Sequence, residues 1–202
     1  MSEAGSRGED GKWRSGTKLK ALSLVLLLCV APGALSKGTG QSSGPSEYEV
    51  KAAFLFHFAE FVEWPSDAFP DTGSPLTYCT IGGDSFRGAL DESVKGKNIG
   101  GRSLRIQHLR EKEQIDGCQV LFIGGAENKR TGEQLARIGG RPVLTVGDAE
   151  NFPEDGGIIG FRLEENKVRF EINLEAAGKA RLKISAKLLS LAKKVIGNSR
   201  GN

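Results

Sequence analysis

The side chains with the most chemistry to offer, histidine and cysteine, are few in this sequence. The 202 residues include two histidines, His57 and His108, and three cysteines. No H-E-x-x-H, Walker or C-x-x-C pattern occurs, and so few histidines and cysteines do not make an ordinary zinc site without carboxylates. We interpret His57 as a core histidine, in preference to a catalytic base, and His108 as an exposed one. The sequence predicts a protein that is not an enzyme and that needs no metal or cofactor.

Glycines that end predicted strands form a candidate ligand site. Glycine lets a ligand approach the backbone closely, and the helix N-termini that follow favour anions. In a parallel sheet these strand ends share one edge, where open α/β folds bind ligands. Tight turns between strand and helix are the alternative reason for the glycines, and we favour it because Asp84 and Asp148 would repel a phosphate. The candidate ligand-binding residues are Gly82, Gly83, Gly124, Gly125 and Gly147.

An aromatic helix is the stronger candidate for function. Residues 47–63 carry apolar side chains at helical spacing on one face and further apolar side chains on the other. Ser46 can cap the start of this helix, and Trp64-Pro65 ends it. A helix that is apolar nearly all round is either fully buried or binds another protein, and aromatic residues dominate interface energetics. The predicted partner-binding residues are Phe54, Phe56, Phe58, Phe61 and Trp64.

The first 36 residues have the order of a secretory signal peptide. Basic residues come first, an apolar run of eleven follows from Ala21 to Ala31, and Ala34-Leu35-Ser36 offers small residues for cleavage. The run is short for a transmembrane helix, which needs roughly 20 residues. An uncleaved anchor and lipidation at Cys29 are the alternatives, and translation could start after Met1. We therefore expect an exported, periplasmic protein.

The rest of the chain divides into three parts. Residues 37–46 are rich in glycine and serine and predict a flexible tether. Residues 47–197 predict one domain, and residues 198–202 a disordered tail. Five of the 28 basic and three of the 25 acidic residues lie in the leader, so the remainder is nearly neutral. It lacks the clustered Lys and Arg of a nucleic-acid-binding face, and we expect no nucleic-acid partner.

Export also gives the two remaining cysteines a meaning. Cys29 would leave with the leader, which leaves Cys79 and Cys118. Two cysteines in an oxidising compartment predict a disulfide. Closing a loop of about 40 residues is worth roughly 4 kcal/mol in the chain-entropy model. Two buried free thiols are the alternative.

Strands alternate with helices behind the aromatic helix. The predicted strands are residues 76–81, 103–109, 119–123 and 142–146, and the predicted helices lie near 86–94 and 128–138. This alternation predicts an α/β fold in which a mostly parallel sheet carries helices on both faces.

The pattern changes toward the end of the chain. Ile158–Leu163 and Lys167–Asn173 flank a short polar turn, and we predict an antiparallel hairpin at the sheet edge. Leu174 to Ile196 predicts a helix that bends near Gly178. Its apolar stripe from Ile184 to Val195 is a weaker candidate for a dimer contact, with docking on the sheet as the alternative.

Several segments, taken as a set, resemble the YfiR family. They are Lys51–Pro65 (KAAFLFHFAEFVEWP), Tyr78–Gly82, Val120–Ile123, Leu144–Asp148, Val168–Asn173 (VRFEIN) and Ile184–Ala192. The match covers essentially all of residues 47–196. It implies a periplasmic domain with a Rossmann-like layout, often dimeric, and the best-known members restrain a membrane-bound diguanylate cyclase by binding its periplasmic region. Such binding lowers cyclic di-GMP and biofilm output.

The resemblance also bears on single residues. Cys79 and Cys118 match one disulfide of those members, whereas Asn151 to Phe161 lacks the cysteines of a second, which puts redox switching through that bridge in doubt. His57 stands where relatives often carry asparagine. We place Glu171, in the late strand motif, with the partner-binding residues.

Two functions of different classes follow. The first is an exported regulator, expected as a homodimer, that binds the periplasmic part of a membrane signalling protein and represses a diguanylate cyclase. The alternative is a periplasmic sensor that binds a small molecule or nucleotide at the glycines. Both can hold if the ligand binds two states of the protein unequally. A hydrolytic enzyme is poorly supported because no pair of nucleophile and base can be named.

Overall fold

The computed structural model describes residues 44–197. The predicted signal peptide and its cleavage site, residues 37–43 of the predicted tether and the predicted tail at 198–202 lie outside the described residues. Within the described part of the chain, no helix has both the length and the apolar character needed to cross a bilayer.

The first helix, α1 (Glu47–Glu60), begins where the sequence predicts and ends three residues earlier. Its start is a capping box: the Ser46 hydroxyl accepts the Glu49 N–H, and the Glu49 carboxylate accepts the Ser46 N–H. Strand β1 (Val62–Glu63) follows and pairs antiparallel with β9 (Lys183–Ile184). The segment around Trp64 is therefore extended and held by a strand from the other end of the domain.

Eight strands form the main sheet. They are β2 (Leu76–Gly82), β3 (Asn98–Ile99), β4 (Arg102–Leu109), β5 (Val120–Gly124), β6 (Leu144–Gly147), β7 (Ile159–Glu164), β8 (Lys167–Asn173) and β10 (Lys194–Ile196). Their order is β10-β8-β7-β6-β5-β2-β4-β3. The spatial neighbours β4-β2, β2-β5, β5-β6, β6-β7 and β8-β10 are parallel. The pairs β7-β8 and β3-β4 are antiparallel. The predicted mostly parallel sheet is confirmed.

Helices cover both faces of the sheet, as predicted. The remaining helices are α2 (Asp84–Val94), α3 (Thr131–Ile138), α4 (Leu174–Lys179) and α5 (Ala186–Leu191). Because strand side chains alternate between faces, β2 and β5 contribute side chains to two hydrophobic cores, one on each face of the sheet. Tyr78 and Phe122 join the core under α1 and α2, and Ile81 and Ile123 join the core under α3.

The disulfide is present, between Cys79 on β2 and Cys118 just before β5, with their Cα atoms 5.8 Å apart. Both residues are buried in the core on the α3 side. Gln119, next in the chain, accepts the Thr77 N–H through its side chain and donates to the Ala68 carbonyl. The bridge and this amide together fix the register at the start of two central strands.

The predicted hairpin is confirmed, but its place at the sheet edge is wrong. Strands β7 and β8 pair from Ile159↔Ile172 to Glu164↔Lys167, and the turn residues Glu165 and Asn166 adopt positive φ. Strand β10 then adds outside β8 in parallel. The hairpin is therefore interior, and β10 is the edge.

The predicted helix over Leu174–Ile196 is also wrong. The segment divides into α4, β9, α5 and β10. Arg181 has a φ of 58°, which breaks the first helix, and Ser185 caps a second by accepting the Leu188 N–H. The residues from Ile184 to Val195 consequently do not form one helical face, and the predicted dimer contact along such a face is wrong.

Candidate functional site

The predicted ligand-binding glycines do come together at one edge of the sheet. Gly82 pairs with Gly124 across β2 and β5, and Gly147 pairs with Ile123 across β5 and β6. Strand β2 lies between β4 and β5, so the order of the strands reverses beside it. The glycines thus lie at a topological switch point, where open α/β sheets bind ligands.

The protein's own atoms fill the space beside Gly124, Gly125 and Gly147. A Cβ on Gly124 would lie 2.5 Å from the Phe122 ring, and a Cβ on Gly147 would lie 2.3 Å from the Phe152 ring. A Cβ on Gly125 would lie 3.0 Å from the backbone nitrogen of Gly83. Packing explains Gly124, Gly125 and Gly147 without a ligand, and ligand binding at this edge stays a prediction.

A buried lysine lies at the same edge. The Lys51 ammonium on α1 lies 3.0 Å from the Asp148 carboxylate, just after β6, and 2.6 Å from the Glu47 carboxylate. The Lys51 side chain is only 6% exposed. Burial alone would lower the pKa of Lys51, but the two carboxylates outweigh it and raise that pKa. The ion pairs tie the start of α1 to the end of β6.

The structure places the five predicted partner-binding aromatics against one core. Phe58 is fully buried and Phe56 is 6% exposed, whereas Phe54, Phe61 and Trp64 are half-buried. The Phe58 ring lies 4.9 Å from the Phe170 ring, centre to centre. A partner could contact Phe56 and Phe58 only if α1 moved. The prediction of partner binding therefore rests on Phe54, Phe61 and Trp64.

An apolar patch that the sequence analysis missed surrounds Phe54. Its ring centre lies 5.6 Å from that of Phe170 on β8. Val168 lies two residues before Phe170, on the same face of β8, and pairs with Leu163 on β7. Leu163 is 53% exposed. We name Phe54, Leu163 and Val168 the hairpin patch.

Helix α5 ends close to the hairpin patch. The Lys193 N–H donates to the Phe170 carbonyl, and the Lys193 ammonium forms an ion pair with Glu164. Leu191, two residues before Lys193, is 61% exposed. Leu163 and Leu191 are, with Tyr48, the large apolar residues that the described chain exposes.

Glu171 lies on the opposite face of β8 from Phe170. It is buried, and its carboxylate accepts two charged contacts from Arg162, from Nε at 3.2 Å and from Nη2 at 3.0 Å. Arg162 also donates to the Ala149 carbonyl. Glu171 thus positions the half-buried Arg162, and it does not share a face of the sheet with the hairpin patch.

The structure contradicts the prediction for His57 and confirms the one for His108, which is exposed. His57 is exposed and its Nδ1 lies 2.6 Å from the Glu60 carboxylate, so the core interpretation is wrong. The His108 side chain is held between the Thr80 hydroxyl and the Asp91 carboxylate, at 2.8 Å and 3.3 Å. Among residues 44–197, no group of three or more His, Cys, Asp and Glu is placed to hold a metal ion.

Sequence reasoning missed Lys51 and Leu163 for different reasons. Lys51 gives no signal in the sequence, because a lysine inside an apolar helix usually extends to solvent and its partner Asp148 is 97 residues away. Leu163 did give a signal. Leu163 lies on the same face of β7 as Ile159 and Phe161. Those two residues are buried, whereas Leu163 is exposed because the strand extends past the core.

Comparisons with known proteins identify a family and a similar fold. The profile of the YfiR/HmsC-like family matches residues 48–193. Among curated proteins none matches. A solved structure of a conserved domain protein from Vibrio cholerae is similar in fold, with a TM-score of 0.52 and 12% identity over 74% of this chain and 60% of that one. This chain spans about 60% of that protein's length, and the likeness shows a shared mixed α/β fold. From the family match over most of its length, the chain belongs to the YfiR/HmsC-like family.

Proposed function

We propose that this chain is an exported regulator, not an enzyme, that binds the periplasmic part of a membrane signalling protein and represses a diguanylate cyclase. The family match over residues 48–193 is the observation that carries the proposal. The signal-peptide pattern of residues 1–36 supports export. The Rossmann-like layout and the homodimer that the resemblance implies are part of the same proposal.

The hairpin patch is the surface that we propose for the partner. The exposed Leu163 and the half-buried Phe54 and Val168 supply apolar area that a partner can remove from water. Phe54 has its ring anchored on Phe170, so it is an aromatic side chain already held in place before binding. Few apolar side chains of this size are exposed elsewhere on the described residues.

Affinity capture from detergent-solubilised host membranes tests the proposal. The tagged wild-type protein should retain the membrane partner. Leu163→Arg should retain at least about tenfold less of it, as is typical when a residue at the centre of an interface is replaced. Gln114→Arg is the matched control, because residue 114 is also exposed and lies on the loop before Cys118, away from β7. The control should bind as the wild type does. Equal capture by Leu163→Arg would remove the patch from the proposal, and no capture by the wild type would contradict the regulator function.

A sensor that binds nucleotide at the glycine edge has less support. The rings of Phe122 and Phe152 occupy the space beside Gly124 and Gly147, and the Asp148 carboxylate close to Gly124 would repel an anion. The absence of thermal stabilisation by nucleotides would be expected from this packing.

A further inference from the structure

A cleft of about 280 Å³ opens between α3 and α4, beside the start of β6. It is distinct from the glycine edge, which lies at the end of β6, and from the hairpin patch. Aliphatic side chains line much of its wall: Leu135, Ile138, Val143, Ile158, Ala176 and Ala180. A wall of this kind suits the apolar body of a small ligand.

Two buried polar side chains converge on this cleft. Thr145 and Asn173 both line it and are 4% and 9% exposed. The Thr145 hydroxyl accepts the Ile158 N–H at 2.9 Å, and the Asn173 amide oxygen accepts the Ala176 N–H at 2.9 Å. One Asn173 amide hydrogen goes to the Pro153 carbonyl at 2.7 Å.

Thr145 and Asn173 each retain a hydrogen-bond donor that these bonds do not use. A hydroxyl has one hydrogen and a side-chain amide has two. The hydrogen bonds described above use neither the Thr145 hydroxyl hydrogen nor the second Asn173 amide hydrogen. Buried donors without partners are costly, so the cleft favours a ligand that brings an acceptor.

The charged residues at the rim are already paired. Arg141 contacts the Asp116 carboxylate at 2.6 Å, Lys179 contacts Glu175 at 2.7 Å, and Glu154 contacts Lys194 at 2.9 Å. Two cations and two anions balance around the opening. A charged ligand would therefore have to displace an existing partner, whereas an uncharged ligand would not.

We propose that this cleft binds an uncharged small molecule with an apolar body and a hydrogen-bond acceptor, such as the carbonyl of an aryl ketone or ester. The acceptor meets the Thr145 hydroxyl and the Asn173 amide, and the body lies against the aliphatic wall. Its volume is near the lower limit for ligand pockets, roughly 300 Å³, which suits a molecule built on one ring. The proposal does not depend on the partner or on the cyclase.

Titration of the ¹⁵N-labelled protein, followed by NMR, tests this site. The probe is acetophenone, and the matched probe without an acceptor is ethylbenzene. Acetophenone should shift the amide signals of Ile158 and Ala176 in a saturable way. Ethylbenzene should bind roughly three- to tenfold more weakly, as the loss of a hydrogen bond predicts. The absence of saturable shifts, or equal affinity for the two probes, would overturn the proposal.

Variants separate this cleft from other sites on the protein. Ala176→Phe fills the cleft and should abolish acetophenone binding, whereas Gly178→Ala on the same helix should leave it unchanged because a Cβ there meets no atom within 4 Å. Thr145→Val should reduce the preference for acetophenone, because only the Asn173 donor remains, and Thr145→Ser should keep it. Thermal unfolding shows which variants are folded, and the Thr145 pair decides the matter if Ala176→Phe is not. Unchanged binding in a folded Ala176→Phe protein, or an unchanged preference in Thr145→Val, would refute the assignment.

Discussion

The ammonium of Lys51, on the first helix, lies 3.0 Å from the carboxylate of Asp148, which follows the sixth strand 97 residues later. The pair is buried on the lysine side and only part-exposed on the aspartate side. It holds α1, which carries the aromatic residues, against the sheet. The position of Phe54, and with it the hairpin patch, therefore depends on an ion pair as well as on apolar packing.

We predict that Asp148→Asn lowers the free energy of unfolding by about 1–3 kcal/mol, because a buried ammonium loses one of its two carboxylates. Chemical denaturation measures the change. Glu63→Gln is the control. Its carboxylate lies 3.9 Å from Lys183, both side chains are exposed, and such pairs contribute about 0–1 kcal/mol. If the two variants lose equal stability, the buried pair has no special role.

The same pair predicts a dependence on alkaline pH. The carboxylates raise the pKa of Lys51 above its ordinary 10.5, so the folded protein holds this proton more tightly than the unfolded chain does. The stabilisation is complete below pH 10.5 and is lost as the pH rises through the higher folded value. We expect wild-type stability to fall more steeply than that of Lys51→Met above this pH. Parallel curves for the two proteins would count against the pair.

The disulfide should supply a large part of the stability. It closes a loop whose ends are 39 residues apart, for which the chain-entropy model gives about 4 kcal/mol. We predict that the Cys79→Ala/Cys118→Ala protein unfolds at lower denaturant concentration than the oxidised wild type, and close to the reduced wild type. A double variant as stable as the oxidised wild type would exclude a stabilising bridge.

Phe56→Arg should unfold the domain. Phe56 is 6% exposed and packs in the core beneath α1, so an arginine there buries an unpaired charge in addition to losing the ring, at a cost of about 3–5 kcal/mol or more. Leu163→Arg, at a 53% exposed position, should stay folded. Circular dichroism on both proteins checks this, and a folded Phe56→Arg would show that Phe56 is not part of the core.

Gly147→Ala separates packing from ligand binding at the glycine edge. A methyl group there would lie 2.3 Å from the Phe152 ring, and we predict a loss of roughly 1–3 kcal/mol, as overpacked cores show. Gly88→Ala is the control, in α2 with no atom within 4 Å, and should be neutral or stabilising. If Gly147→Ala were as stable as Gly88→Ala, packing would not explain Gly147.

The sequence predicts the central part of this fold well because the signals there are local. The cap at Ser46, the alternation of strands and helices, and the hairpin around Asn166 each depend on neighbouring residues. The segment from Leu174 to Ile196 fails for the opposite reason. Its apolar spacing is compatible with one long helix, and only pairing with Val62 and with β8 makes strands of its parts.

The candidate site could be predicted only in part. The glycines fall together, as parallel strand ends must, but the rings that fill the space beside Gly124 and Gly147 come from tertiary packing that the sequence does not show. The aromatic helix is correctly recognised as important, yet its periodicity does not tell which side meets the sheet. Phe56 is buried whereas Leu163 on the neighbouring hairpin is exposed, so the hairpin is the better candidate for partner binding.

Cyclic di-GMP in the host, measured by mass spectrometry of cell extracts, decides whether this chain represses a cyclase. Deletion of the gene should raise the nucleotide, because repression of the cyclase is lost. Restoring the wild-type protein or Gln114→Arg should lower it again, and Leu163→Arg should not. Unchanged cyclic di-GMP after deletion, in cells that express the cyclase, would contradict the account.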